Sequence, residues 1–147
     1  MEKRITKELI DWLLDEKQYG IKAGIYNFLQ VDTAYHSNHI EGSKFSHDQT
    51  SYIYETHSFS GEHIRIDDVI ETINHFRCFA SILDTMGKPL TEEYIKELYK
   101  ILKTGTFSSC SKEAVVGDYQ KYPNMVRDIE TADPAEVSHK MTELIYR

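Results

Sequence analysis

Apolar positions recur at helical steps along most of this chain. Leu9, Ile10, Trp12, Leu13 and Leu14 form a broad stripe over residues 6–18, and Tyr19-Gly20 breaks it. A second helical pattern covers 21–40 through Ile25, Phe28, Leu29 and Val31, and Gly42 ends it. The second half of this pattern, 32–41, turns polar and aromatic, which predicts a helix end that is half exposed or faces a polar cleft. Ser46 is placed to cap a short helix over 47–56. The strongest pattern is 66–86, where Ile66, Val69, Ile70, Ile73, Phe76, Phe79, Ala80 and Leu83 recur at steps of three and four before Gly87-Lys88-Pro89 stops them. Thr91 opens a helix over 92–102, with Glu92 and Glu93 suited to its positive start. Asp133-Pro134 opens a last one carrying Val137, Met141, Leu144 and Ile145.

Between these helices the chemistry changes. Gly105, Thr106, Ser108, Ser109, Ser111 and Gly117 are loop residues, and Val115-Val116 with 119–122 predict a short hairpin. The fold class is therefore mainly α with one small β-hairpin. No internal repeat and no low-complexity segment is present.

Composition narrows the function classes. A chain of 147 residues suits one domain with a real core. A net charge of −7 and no basic run argue against a nucleic-acid binder. No apolar stretch approaches the roughly 20 residues that span a bilayer, and the N-terminus does not resemble a signal peptide, so neither a membrane partner nor secretion is expected. Cys78 and Cys110 are too few for a disulfide framework and read as reduced thiols of a cytoplasmic protein, Cys78 as a small buried residue.

The candidate chemistry centres on Tyr35-His36-Ser37-Asn38-His39-Ile40-Glu41-Gly42. Ser37 and Glu41 stand at i and i+4 on one helix face, and Gly42 is suited to the left-handed turn that closes a helix. On residue types alone, this is a solvated helix end. His36 and His39 at i and i+3, with His47 nearby, invite a metal reading. No second pair has ligand spacing, so no metal site is assigned. His75-Phe76-Arg77 lies in the middle of an apolar helix without a glycine-rich run and reads as packing, not as a catalytic base.

The run from Ser37 to Ser46 is similar to the (S/T)xxxE(G/N) inhibitory helix of Fic proteins and the turn after it. Three further stretches resemble the same family in the same order. These are Ile66-Asp67-Asp68-Val69-Ile70-Glu71-Thr72-Ile73-Asn74-His75-Phe76 as the first core helix, Pro89-Leu90-Thr91 opening the next, and the run from Val116 to Val126 as the flap. The resemblance implies a Fic-like helical bundle whose flap holds a target segment by strand addition. The target-binding residues it implies are Val116, Gly117, Asp118, Tyr119, Gln120 and Lys121. Family flaps often carry a basic residue where Gln120 stands here, followed by Lys121. The implied division is 1–45 for the N-terminal helices and 46–147 for an incomplete core, with the flap at about 115–126.

Fic proteins transfer AMP from ATP to protein hydroxyls, using a HxFx(D/E)GNGRxxR motif with a His base, a carboxylate for the metal and phosphate-binding Arg. The 147 residues contain no such motif, so no catalytic residue is assigned. The resemblance thus implies the regulatory part of a self-inhibited protein adenylyltransferase, cut before its chemistry and inactive alone. Ser37, Glu41 and Gly42 are its inhibitory residues. ATP and Mg2+ are the implied cofactors, not held by these residues alone, and the implied partner is a protein bearing a Ser, Thr or Tyr hydroxyl. The alternative is a non-catalytic interaction module, or an antitoxin-like inhibitor acting in trans on a Fic enzyme. A core cut at this point would leave the apolar face of 66–86 uncovered, which predicts dimerisation, domain exchange or marginal stability.

Overall fold

The computed structural model describes residues 2–110, 115–123, 125–126 and 128–146. Among the described residues, six α-helices and one hairpin run in the order α1 (Glu2–Tyr19), α2 (Ile25–Ile40), α3 (His47–Thr56), α4 (Ile66–Thr85), α5 (Glu92–Lys103), β1 (Met125–Val126), β2 (Ile129–Glu130) and α6 (Pro134–Ile145). The class is mainly α, as the periodicity predicts.

Three helix starts are written into their own sequence. Ser46 Oγ accepts the Gln49 N–H at 3.1 Å while Gln49 Oε1 accepts the Ser46 N–H at 2.9 Å, a complete capping box for α3. Thr91 Oγ1 accepts the Tyr94 N–H at 3.1 Å. Asp133 Oδ1 accepts the Ala135 N–H at 2.9 Å, with Pro134 at the first helical position. The start of α2 is different. Apolar periodicity places it near residue 21, yet the helix begins at Ile25 with Gly24 as its cap, which has no side chain to offer. The missing acceptor comes from α1: Glu16 Oε2 accepts the Tyr26 N–H at 2.8 Å, and this carboxylate is 8% exposed. A negative charge at a helix N-terminus is favourable twice over, through the hydrogen bond and through the helix dipole.

The chain divides into two compact units, Met1–Lys88 and Pro89–Arg147, so the break falls after α4 and not near residue 45. The reason lies in packing. Helix α2 belongs with the two helices after it, because α2 packs on α3 and α4, and α1 and α3 both pack on α4. Two apolar clusters hold this unit together. Leu13, Tyr26 and Leu83 are buried with Ile10, Leu14, Leu29 and Phe79 against them. Phe45, Ile53 and Val69 are buried with Ile64, Ile73 and Phe76 against them. The stripe of α4 supplies both clusters: Val69, Ile73 and Phe76 to one, Phe79 and Leu83 to the other. Its apolar face is therefore covered by α1, α2 and α3, against the expectation that it stands open; Ile66, Ile82 and Met86 at its margins are exposed.

In the second unit α5 packs against α6, and β1 and β2 form an antiparallel pair with Met125 opposite Glu130 and Val126 opposite Ile129. The hairpin is real, but only its first strand, Met125–Val126, falls within the expected 115–126, and its second lies beyond. Residues 115–123 form turns instead. Gly117 takes φ +79°, and Asp118 Oδ1 accepts the next residue's N–H at 2.8 Å, so the chain bends where a strand would have to run straight. Ser111 and Asn124, read from the sequence as loop and flap residues, lie outside the described residues.

Candidate functional site

The end of α2 is built by backbone hydrogen bonds that Gly42 makes possible. Glu41 is the C-cap, and Gly42 follows at φ +91°, open to any L side chain only with strain. The Gly42 N–H donates to the His39 carbonyl at 3.1 Å and the Ser43 N–H to the Asn38 carbonyl at 2.9 Å, the double bond pattern of a Schellman motif. The Glu41 N–H donates to the Ser37 carbonyl at 3.3 Å. Ser37 is half-buried on the last turn, while Glu41 and Gly42 are exposed. The structure thus puts Ser37, Glu41 and Gly42 in one helix-closing turn, with the Glu41 side chain exposed.

That carboxylate is electrostatically misplaced in its own helix. The C-terminal end of α2 carries the negative end of the helix dipole, where an acid is unfavourable by about 0.3–1 kcal/mol. The local histidines are His36 and His39 on α2 and His47 on α3. His36 Nε2 is 3.5 Å and His47 Nε2 is 3.8 Å from Asp32 Oδ1, and the Tyr35 ring sits among the rings of His36, His39 and His47 at centroid distances of 5.0, 5.6 and 5.4 Å. These groups form a polar aromatic cluster, which accounts for the loss of apolar periodicity over 32–41. Among the described residues no group of three or more His, Cys, Asp or Glu side chains is placed to hold a metal ion.

Two residues that sequence reasoning passed over hold this helix end in place. Asn38 Nδ2 donates to Thr72 Oγ1 of α4 at 2.8 Å, and the Thr72 hydroxyl donates to the Asp68 carbonyl at 2.7 Å. Asn38 is 3% exposed and Thr72 0%. The available signal was a threonine interrupting the best apolar stripe in the chain.

The residues named as target-binding belong to the second unit. Gly117, Asp118 and Tyr119 are moored on α5. Lys96 Nζ lies 2.9 Å from Asp118 Oδ1 and 4.2 Å from the centre of the Tyr119 ring, so one ammonium makes both an ion pair and a cation–π contact. Tyr119 Oη donates to Glu92 Oε2 at 2.9 Å, and the other Glu92 oxygen accepts from Thr142 of α6 at 3.0 Å. Glu92 therefore ties loop, α5 and α6 together, a role beyond the helix-start acid that its position suggests. Asp118, Tyr119, Gln120 and Lys121 line a groove of about 770 Å³ with Tyr99 and Tyr122. Val116 is half-buried beside them.

The mooring shows in the acid–base behaviour. The hydrogen bond from Lys96, with that from the Tyr119 amide, holds the Asp118 carboxyl below the usual carboxylate range. Burial, then the hydrogen bond to Glu92, pushes the Tyr119 phenol up to about 12. In the first unit burial and the neighbouring Tyr26 push Tyr54 up to about 12 as well; its hydroxyl donates to Asn27 Oδ1 at 2.7 Å. Both folded values lie above the ordinary 10.0, so what these phenols contribute to stability is complete below pH 10 and is lost as pH rises through about 12. In an alkaline titration of phenolate absorbance, Tyr54 and Tyr119 should ionise late. Tyr54→Phe and Tyr119→Phe should each remove one late step; a titration unchanged by either would contradict these environments.

No family model matches the sequence, and no curated protein does. A solved structure does match. A Fic-domain-containing signalling protein from Bacteroides thetaiotaomicron superposes with a TM-score of 0.69 at 23% identity, over 93% of this chain and 54% of that one. The fold is Fic-like. The chain spans about half the length of that protein, and in the shared fold the Ser37–Gly42 turn closes a helix packed on α4, while the Asp118–Lys121 loop comes after α5. No described helix is long and apolar enough to cross a membrane.

Proposed function

We propose that these residues are the N-terminal regulatory part of a self-inhibited Fic protein, an adenylyltransferase that moves AMP from ATP to a Ser, Thr or Tyr hydroxyl of another protein. The observation that carries the reading is Glu41: an exposed carboxylate, on a rigidly closed helix end, within a Fic-like fold. Its placement against the helix dipole makes sense when a cation from elsewhere offsets the cost. In this reading that cation is the second arginine of the HxFx(D/E)GNGRxxR motif. A guanidinium and a carboxylate pair through two parallel hydrogen bonds, and the carboxylate repels the γ-phosphate that the arginine would otherwise hold.

The side chains around Glu41 do not themselves fit ATP and Mg2+. One carboxylate and a neighbouring serine offer neither a metal-ligand set nor a cradle of N–H donors for a triphosphate. Their role is to obstruct, and Val116, Gly117, Asp118, Tyr119, Gln120 and Lys121 take the role of presenting the target. The reading carries a cytoplasmic setting, in keeping with the free thiols Cys78 and Cys110.

The test is transfer of labelled AMP from ATP, measured for this chain and for a polypeptide that joins it to an HxFx(D/E)GNGRxxR segment, each with and without Glu41→Gly. Labelling by the joined Glu41→Gly protein alone is the expected result. If neither joined form labels itself or a target, self-inhibition by Glu41 is wrong. Should this chain then silence a separate Fic enzyme, the inhibitor acting in trans takes its place.

A further inference from the structure

We infer that Asn38 and Thr72 form a latch that positions Glu41, so that the strength of inhibition is set by a buried hydrogen bond between α2 and α4 and not by the Ser-x-x-x-Glu-Gly residues alone. The inference rests on the proposed inhibitory role of Glu41 for its functional half, and on geometry for its structural half.

Asn38 does two jobs at once. Its backbone carbonyl accepts the Ser43 N–H at 2.9 Å, the outer bond of the turn that closes α2. Its side chain donates to Thr72 Oγ1 at 2.8 Å across the helix interface. The same residue therefore fixes the turn carrying Glu41 and fastens that turn to the core helix. Thr72 has no exposed surface, and its hydroxyl is itself oriented by donating to the Asp68 carbonyl at 2.7 Å. The acceptor lone pair thus points in a determined direction. A hydrogen bond between two fully desolvated groups is costly to break, because neither partner can turn to water instead. No other polar side chain of the last α2 turn is comparably buried: Ser37 is half-buried, and His39 and Glu41 are exposed. Loss of the latch leaves the end of α2 held by the turn's backbone bonds and by the apolar contact of Phe45 beyond it.

Asn38 and Thr72 are positioning residues; neither is placed to touch nucleotide. Two arms test the latch. In the first, hydrogen exchange of the 147-residue chain is measured at the Gly42 and Ser43 amides. Asn38→Ala and Thr72→Val should each speed it by about tenfold, the scale of one buried hydrogen bond, with the amides of α1 unchanged. Thr72→Ser keeps the hydroxyl and should exchange like the native chain, and the double variant should go no faster than either single one. Unchanged exchange at Gly42 and Ser43, or an equal rise throughout the unit, overturns the latch. Thr72→Val stands in if Asn38→Ala does not fold.

The second arm measures AMP transfer by the joined polypeptide. Thr72→Val should raise labelling with Glu41 still present, and should add nothing to Glu41→Gly. If Glu41→Gly activates and Thr72→Val does not, the latch does not position Glu41. If Glu41→Gly itself has no effect, the inhibitory reading fails, while the exchange data still decide whether the latch exists.

Discussion

Phe45→Ala should destabilise the first unit by roughly 3–5 kcal/mol, the range for removing a buried phenylalanine ring. The ring is 7% exposed and lies in one cluster with Ile53 and Val69, with Ile64, Ile73 and Phe76 packed around it. Truncation leaves a void between α3 and α4 that its five apolar neighbours close only in part. Phe45 also stands three residues beyond Gly42, and its burial is what brings the chain leaving the Glu41 turn back to the core. The variant should therefore lose order at that turn before it loses α1. Phe59→Ala is the control: Phe59 is 52% exposed, and its truncation should change stability by about 0.5 kcal/mol or less. Urea unfolding monitored at the single tryptophan, Trp12, reports this unit. Equal effects of the two variants would show that Phe45 does not anchor the turn.

Gly24→Ala should be nearly as damaging, for a reason unrelated to glycine's flexibility. Gly24 has φ −91°, which alanine adopts freely. The obstacle is space, since a Cβ there would stand 2.2 Å from Glu16 Oε2. The carboxylate is the end of a movable side chain and can swing away, but it then abandons the Tyr26 N–H and the positive end of α2. Losing a hydrogen bond to a charged group costs about 1.5–3 kcal/mol. Glu16→Ala should cost a similar amount. Since both act by removing the same cap, the two losses should not add: in the Glu16→Ala background Gly24→Ala should cost little, the clash having gone with the carboxylate. A double-mutant cycle measured by urea unfolding decides it, and additive losses would mean that Gly24→Ala does not act by displacing the Glu16 carboxylate from the Tyr26 N–H.

These two residues also mark where sequence reading stops. The apolar pattern over 21–40 runs through Gly24 without marking it as a helix start, because the residue that makes it one lies eight positions earlier, on another helix. Nothing in the local pattern around residues 21–25 names Glu16 as the acceptor. The same holds for Asn38 and Thr72, 34 residues apart. Each is an ordinary polar residue in its own helix, and only the packing of α2 on α4 makes them partners. For the loop after α5, Val115-Val116 and the tyrosines near them carry strand propensity, but propensity does not see Lys96 and Glu92. These side chains, with Gly117, hold the loop as turns and leave the hairpin to Met125–Val126 and Ile129–Glu130.

What the chain determines by itself is everything that depends on near neighbours. The 3.6-residue stripe of α4, the caps Ser46, Thr91 and Asp133, and the Schellman turn at Gly42 need only residues within about one helical turn, so they were legible with their chemistry. The Ser37–Glu41 spacing belongs to the same class, because a helix converts four positions into one face without help. The tertiary structure alone decided which face each helix buries against which partner. It covered α4's stripe with α1, α2 and α3, supplied α2's cap from α1, and drew the boundary between units after Lys88. Such contacts join residues far apart in sequence, and the free energy that selects them comes from desolvation and close packing, which no single segment possesses until the others are in place.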